Sequence, residues 1–388
     1  MKIMLVAAEA SGDVLGAGLA RALKSRLGDG VSFVGVGGPR MAEQGVASPF
    51  DIAELSIIGW LEGLRAYGLV KRRVADTVAL AVAERPDAVV LIDSWGFTIR
   101  VAQAIRAALP GVPLIKYVGP QVWASRPGRA KTLAASVDHL LALHSFDAPW
   151  FERAGLPTTV VGSHALHIDM GSADGDRFRK QRGIAPDAPL LLVLPGSRPS
   201  EISRLTPVFE GAVARLKAAH PDLQVAVALA GTVAEDVTAR LAAWPFRIHT
   251  VAEADKYDAM KACDVALAAS GTVSTELALA GAPMVIAYRF GPVSYAIMKP
   301  FFTGKFATLF NVAADRMVAP ELIQNDATPE KLAAAIGRLL TDRAAAADQI
   351  AAQTAALDQM GRTDRDPSEV AADAVLKVLS NHRSDAAR

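Results

Sequence analysis

Two stretches of this 388-residue chain set a glycine turn beside a charged side chain, the pairing that an anion site requires. Residues 265–289 read VALAASGTVSTELALAGAPMVIAYR. An apolar run, Val265 to Ala269, enters the turn Ser270-Gly271-Thr272, and a helix predicted from Val273 to Ala280 is stopped by Gly281 and Pro283. Backbone N–H groups at such a helix start have no partner within the helix and point at whatever anion lies before them. Glu276 falls about one turn inside, where its carboxylate can accept hydrogen bonds from the two hydroxyls of a ribose. The plainer alternative is a surface acid favoured by the helix dipole. Residues 190–204, LLLVLPGSRPSEISR, repeat the design, with Gly196, Ser197 and Arg198 after an apolar strand. Arg198 is suited to pair with a diphosphate, or else to neutralise a neighbouring carboxylate.

A second group of polar residues falls where the strands of the N-terminal half end. Asp93 follows the central strand Ala88 to Ile92, at the strand end where open α/β sheets collect ligands. The strand Pro113 to Val118 runs into GPQVWASRPGR, whose Gln121, Trp123, Arg126 and Arg129 offer hydrogen bonds, an aromatic face and positive charge to a phosphorylated sugar. The alternative is a solvated loop anchored by Trp123. Ser11, Gly12 and Asp13 are expected to form the turn after the first strand, with Asp13 capping a helix from Val14 to Leu27.

Residues 56–74, SIIGWLEGLRAYGLVKRRV, combine Ile57, Ile58, Trp60 and Leu61 with the basic cluster Lys71, Arg72 and Arg73. An apolar face with a cationic edge suits an anionic membrane surface, although a helix packed on its own domain would read the same way.

The elements that must position these residues follow from composition and periodicity. A chain that is 51% hydrophobic can bury a large core in each of two or three domains. Lys plus Arg number 41 against 40 Asp plus Glu, so no overall field recruits nucleic acid. The single Cys263 excludes an internal disulfide and suits a reducing cytoplasm. Met1 to Ala8 is read as a first strand rather than a signal peptide, because Glu9 interrupts a short apolar run. No run reaches the roughly 18 uncharged apolar residues of a membrane span, so any bilayer contact is expected to be peripheral. Neither early glycine turn completes the GxGxxG dinucleotide pattern. The seven histidines lack zinc spacing, and the triplets at 174–176 and 364–366 sit in polar segments without a preceding apolar strand. No metal is expected. Alternating strands and helices recur on both sides of a polar linker, 163–189, which predicts two stacked Rossmann-like domains. Residues 307–324 are read as a loop followed by a helix after Pro320.

Taken jointly, EASGD (9–13), GVGGPRM (35–41), GPQVWASR (119–126), LPGSRPSEI (194–202), SGTVSTE (270–276), PMVIAY (283–288) and the 311–324 segment resemble the lipid A disaccharide synthase family. The resemblance spans nearly the whole chain. It implies an α/β GT-B fold, two Rossmann-like domains facing across a cleft. Residues 1–165 would take acceptor and membrane, 166–344 the UDP-sugar donor, and helices of about 345–388 would cross back onto the first domain. It further implies an inverting transfer from UDP-2,3-diacylglucosamine to 2,3-diacylglucosamine 1-phosphate, giving a β(1→6) disaccharide and UDP; the alternatives are another GT-B UDP-sugar enzyme, a peptidoglycan glucosaminyltransferase or a UDP-sugar 2-epimerase, or a non-catalytic nucleotide-sugar-binding protein. No cofactor is implied. The expected location is cytoplasmic, peripheral on the inner membrane face, and a homodimer is left open. Asn311, Glu321 and Gln324 join the donor residues, and Ser11 joins Gln121, Trp123 and Arg126 for the acceptor. Two carboxylates qualify as general base. Gly96 stands where the family often carries a second Asp that would neighbour Asp93, so Asp13 is favoured as base and Asp93 as an acceptor-orienting group.

Overall fold

The computed structural model describes every residue except 57–62, 270, 293–294, 297–298 and 387–388. Ile57, Ile58, Trp60, Leu61 and Ser270 therefore lie outside the described residues. The chain divides into two compact units, Met1–Ser163 with Thr363–Arg388, and His164–Arg362.

The first unit is built on six parallel strands: β1 (Lys2–Ala7), β2 (Ser32–Val36), β3 (Ala88–Ile92), β4 (Leu114–Tyr117), β5 (His139–Ala142) and β6 (Thr158–Val160). They are ordered β2-β1-β3-β4-β5-β6. Continuous apolar strands belong in a parallel sheet because both faces are covered. One face buries Ile3, Leu5, Val90 and Ile92 against Leu19 and Leu23 of the helix Ala10–Leu27 and against Ala371, Val375 and Leu379 of the terminal helix Pro367–Ala386. The other buries Met4, Val6, Val89 and Leu91 against Phe97, Val101 and Ile105 of the helix Trp95–Ala108. Arg26 clamps the terminal helix through Glu369 and Asp373.

The first helix begins at Ala10, four residues ahead of the expected start, so residues 11–13 are its first turn rather than a loop before it. Gly12 serves close approach there. A Cβ on it would lie 3.2 Å from that of Ala7, so the residue lets the helix start press onto the strand end.

The second unit repeats the design with β7 (Leu190–Leu194), β8 (Gln224–Ala228), β9 (His249–Val251), β10 (Val265–Ala269), β11 (Met284–Tyr288) and β12 (Glu321–Ile323). Their order is β12-β11-β10-β7-β8-β9, again all parallel. Leu191, Val193, Leu267 and Val285 pack beneath Leu205, Phe209 and Val213 of the helix Pro199–Ala219. Two expectations are corrected here. The segment after Pro320 is a strand, since Glu321 pairs with Ile286 at the sheet edge, and a short helix, Leu309–Ala314, precedes it. The presumed linker contains the helix Gly175–Arg182, capped by Asp174 and docked through Arg179 onto Ala262 O and Asp264. The helix Arg343–Gln359 packs on this unit, Gln349 bonding both N and O of Met284.

Strand order reverses between β1 and β3 in the first sheet and between β7 and β10 in the second. The crevices beyond those strand ends are where a doubly wound sheet takes ligands.

Candidate active site

At the second unit's switch point the turns after β7 and β10 open a cavity of about 410 Å³. Gly196, Ser197, Arg198, Gly271, Thr272 and Glu276 all line it. Both glycines are required by conformation. Gly196 has φ +111° and Gly271 φ +151°, and a Cβ on Gly196 would strike Glu201 Oε2 at 2.6 Å. The helices Pro199–Ala219 and Val273–Ala280 start at these turns, and Arg198, Thr272 and Val273 at their beginnings line the cavity.

Two partners of these residues, Glu201 and Lys256, escaped sequence reasoning. Glu201, only 3% exposed, accepts hydrogen bonds from Ser197 N (3.2 Å), Arg198 Nη1 (2.8 Å) and Tyr288 OH (3.2 Å). It holds the turn before Arg198 through Ser197 N and pairs with the Arg198 guanidinium, a side chain that stays 73% exposed at the cavity. Glu276 pairs with Lys256 at 3.1 Å, and Lys256 also reaches Glu253 at 2.9 Å. Burial alone would lower the pKa of Lys256, but its hydrogen bond to Glu253 and the charge of Glu276 outweigh this and hold it above the ordinary lysine value. Only Glu201 carried a local signal, three residues beyond Arg198 in the same motif.

Asn311, Glu321 and Gln324 are not among the cavity's lining residues. Asn311 is fully buried. Its amide donates to Ala319 O and Glu321 Oε1, and its Oδ1 accepts from Val318 N and Ala319 N. Glu321 also accepts from the backbone N–H groups of Ala307 and Thr308, and Gln324 Oε1 from that of Phe290. These side chains tie the segment before β12 to the sheet.

At the first unit's switch point the expected base is engaged with the backbone. Asp13 is 2% exposed, and its oxygens accept from the backbone N–H groups of Gly38 (2.7 Å), Arg40 (2.9 Å) and Met41 (3.0 Å). It holds the start of the short helix Pro39–Ala42, which follows β2, against the first helix, with no role as the first helix's cap. Asp93 is different. It sits half-buried at the end of β3, with Ser11 Oγ 3.3 Å from its Oδ2. Asp93 (φ 48°) and Ser94 (φ 39°) both occupy the left-handed region, an arrangement that non-glycine residues keep only where surroundings enforce it.

Gln121 and Arg126 are exposed in the loop after β4, whereas Trp123 is half-buried and donates to Asp147 Oδ1 at 2.9 Å. Burial pushes the Asp147 carboxyl up to about 7, with the Trp123 hydrogen bond pulling it back. Trp123 thus stands on a fixed base. Of the basic cluster, Arg73 turns inward to Glu54, Asp76 and the ring of Phe50. Lys71 and Arg72 remain exposed, Lys71 over the ring of half-exposed Tyr67. Among the described residues no helix is long and apolar enough to cross a membrane.

Two parallel six-stranded sheets, each with its polar residues at a switch point, define an α/β protein of the GT-B class. Solved structures agree on that fold. A putative UDP-N-acetylglucosamine 2-epimerase from Listeria monocytogenes matches with a TM-score of 0.60 at 14% identity, covering 99% of this chain and 97% of its own. The calicheamicin glycosyltransferase matches at 0.55 and 17%, covering 98% of both chains. A family model described as lipid-A-disaccharide synthetase matches residues 3–375. The lipid-A-disaccharide synthase of Rhodospirillum centenum is 47% identical over 97% of this chain and 94% of its own length. That of Paramagnetospirillum magneticum is 46% identical over 98% of both. The chain belongs to the lipid-A-disaccharide synthase family, and is a glycosyltransferase of lipid A biosynthesis.

Proposed function

We propose that the enzyme moves 2,3-diacylglucosamine from its UDP ester to the 6-hydroxyl of 2,3-diacylglucosamine 1-phosphate, inverting the anomeric carbon to give the β(1→6) disaccharide. The observation that carries the donor half is the convergence of two glycine turns, Arg198 and Glu276 on one cavity. Arg198 and the two helix starts stabilise the charge that grows on the departing diphosphate, and no metal is needed for that. Glu276, steadied by Lys256, takes the ribose hydroxyls.

Acceptor chemistry is assigned to the first unit. Asp13 has its oxygens committed to three backbone N–H groups, so the base role passes to Asp93, with Ser11, Gln121, Trp123 and Arg126 supplying acceptor contacts. Exposed Lys71 and Arg72, beside Tyr67, meet anionic lipid on the cytoplasmic membrane face. Replacing both by Ser should weaken sedimentation with anionic vesicles at low salt, and unchanged sedimentation would remove that contact.

The direct test is incubation of the enzyme with both acylated substrates in the presence of a chelator, following UDP release and the proton coupling at the new anomeric centre. UDP release that needs both substrates, with a β-linked product, is expected. An α-linked product would overturn inversion, and chelator-sensitive release would overturn the metal-free charge sink.

A further inference from the structure

A lysine in a buried strand is an expensive choice, because an ammonium loses its hydration there and an apolar side chain would fill the same space. Lys116 is such a residue. It stands opposite Leu91 in β4, within the run Leu-Ile-Lys-Tyr, and is 2% exposed. Its Nζ donates to the carbonyl oxygen of Asp93 and, at 2.9 Å, to Thr98 Oγ1. Thr98 Oγ1 itself lies 2.8 Å from Asp93 O and 3.1 Å from Ser94 O. The N–H of Asp93 donates to Tyr117 O at 2.8 Å. The backbone of Asp93 is thus gripped from both sides at the point where two successive non-glycine residues take left-handed conformations.

We propose that Lys116 is a positioning residue for Asp93, holding the strained turn so that the carboxylate projects from the sheet rim beside Ser11. The inference rests on the reading of Asp93 as the base. Burial pushes the Lys116 ammonium down to about 7, while the charges of Asp93 and Glu9 pull it back up. A group so disfavoured by its surroundings is kept for the bonds it makes. Strain that is locked by buried neighbours is how a site holds a side chain in place.

The test uses the full chain and the double-mutant cycle of Lys116→Met and Asp93→Asn. Methionine keeps the length and removes the buried charge, so the melting temperature should hold or rise. In the otherwise intact enzyme, Lys116→Met should lower kcat roughly 10- to 100-fold, with the Kd for UDP unchanged within about twofold. In the Asp93→Asn background the same change should cost less than about threefold, because the group it positions is already disabled. Thr98→Val should lower kcat in the same direction by a smaller factor, and it carries the test should Lys116→Met fail to fold. Near-full activity of Asp93→Asn would overturn the base reading and Lys116 with it. A crippled Asp93→Asn beside a fully active Lys116→Met, or beside a fully active Thr98→Val where the methionine variant does not fold, would overturn the Lys116 proposal alone. So would equal losses in both backgrounds, or a joint fall in melting temperature and UDP binding, since these mark a merely structural lysine.

Discussion

The two switch points share a topology and use it in opposite ways. Around β7 and β10 the charged side chains face a cavity: Arg198 is largely exposed, and the partner of Glu276 is the side-chain ammonium of Lys256. Around β1 and β3 most of the charge is turned onto the protein's own backbone. Asp13 accepts three backbone N–H groups, and Lys116 grips a backbone carbonyl, leaving Asp93 beside Ser11 at the rim. What a carboxylate does is therefore decided by its donors. Three backbone donors make it a structural clamp, whereas a single ammonium or hydroxyl donor leaves lone pairs for a ligand.

The largest expected effect separates the two acids of the first unit. Asp93→Asn should slow turnover roughly 10²- to 10⁴-fold while UDP binding to the second unit is kept. Loss of UDP binding in that variant would erase the division between the two regions. Next comes Arg198→Ala, with turnover down roughly 10²-fold or more and the fold intact, because charge stabilisation at the leaving group is gone. Near-normal rates there would move the diphosphate away from the β7 turn. Glu276→Ala should weaken UDP binding roughly tenfold or more in calorimetry, the size of hydrogen bonds made to a charged group. An unchanged Kd would withdraw the ribose from Glu276.

Asp13→Asn sharpens the contrast from the other side. An amide cannot accept with both ends, so one backbone N–H of the Gly38 to Met41 loop loses its acceptor, at roughly 1–3 kcal/mol of stability in urea unfolding. Turnover per folded molecule should stay within a few-fold of the parent, and a selective collapse of kcat would return the base role to Asp13. The last test is stability against pH. Lys116 is held near 7 in the folded chain against an ordinary 10.5, so between those values the unfolded chain binds the extra proton. Stability contributed by this group should then rise with pH across that window. Thermal melts of Lys116→Met should show a flatter profile there, and an identical profile would mean that Lys116 does not titrate in that range.

By itself the sequence determined the two sheets, the glycine turns and the cavity-lining side chains that follow them. Those signals are local: a buried parallel strand is an uninterrupted apolar run, and a turn with positive φ calls for glycine next to the residue it presents. Gly196, Arg198, Gly271 and Glu276 could be read for that reason. Tertiary structure alone set the different surroundings of the two carboxylates. Asp13 meets Gly38 across 25 residues, Lys116 meets Asp93 across 23, and Tyr288 meets Glu201 across 87. Strand β12 likewise exists because β11 offers it an edge, while its own three residues carry no pattern long enough to tell strand from helix. A hydrogen-bond partner, unlike a hydrophobic period, leaves no mark on the residues beside it. It becomes visible only when folding has brought the two groups within about 3 Å.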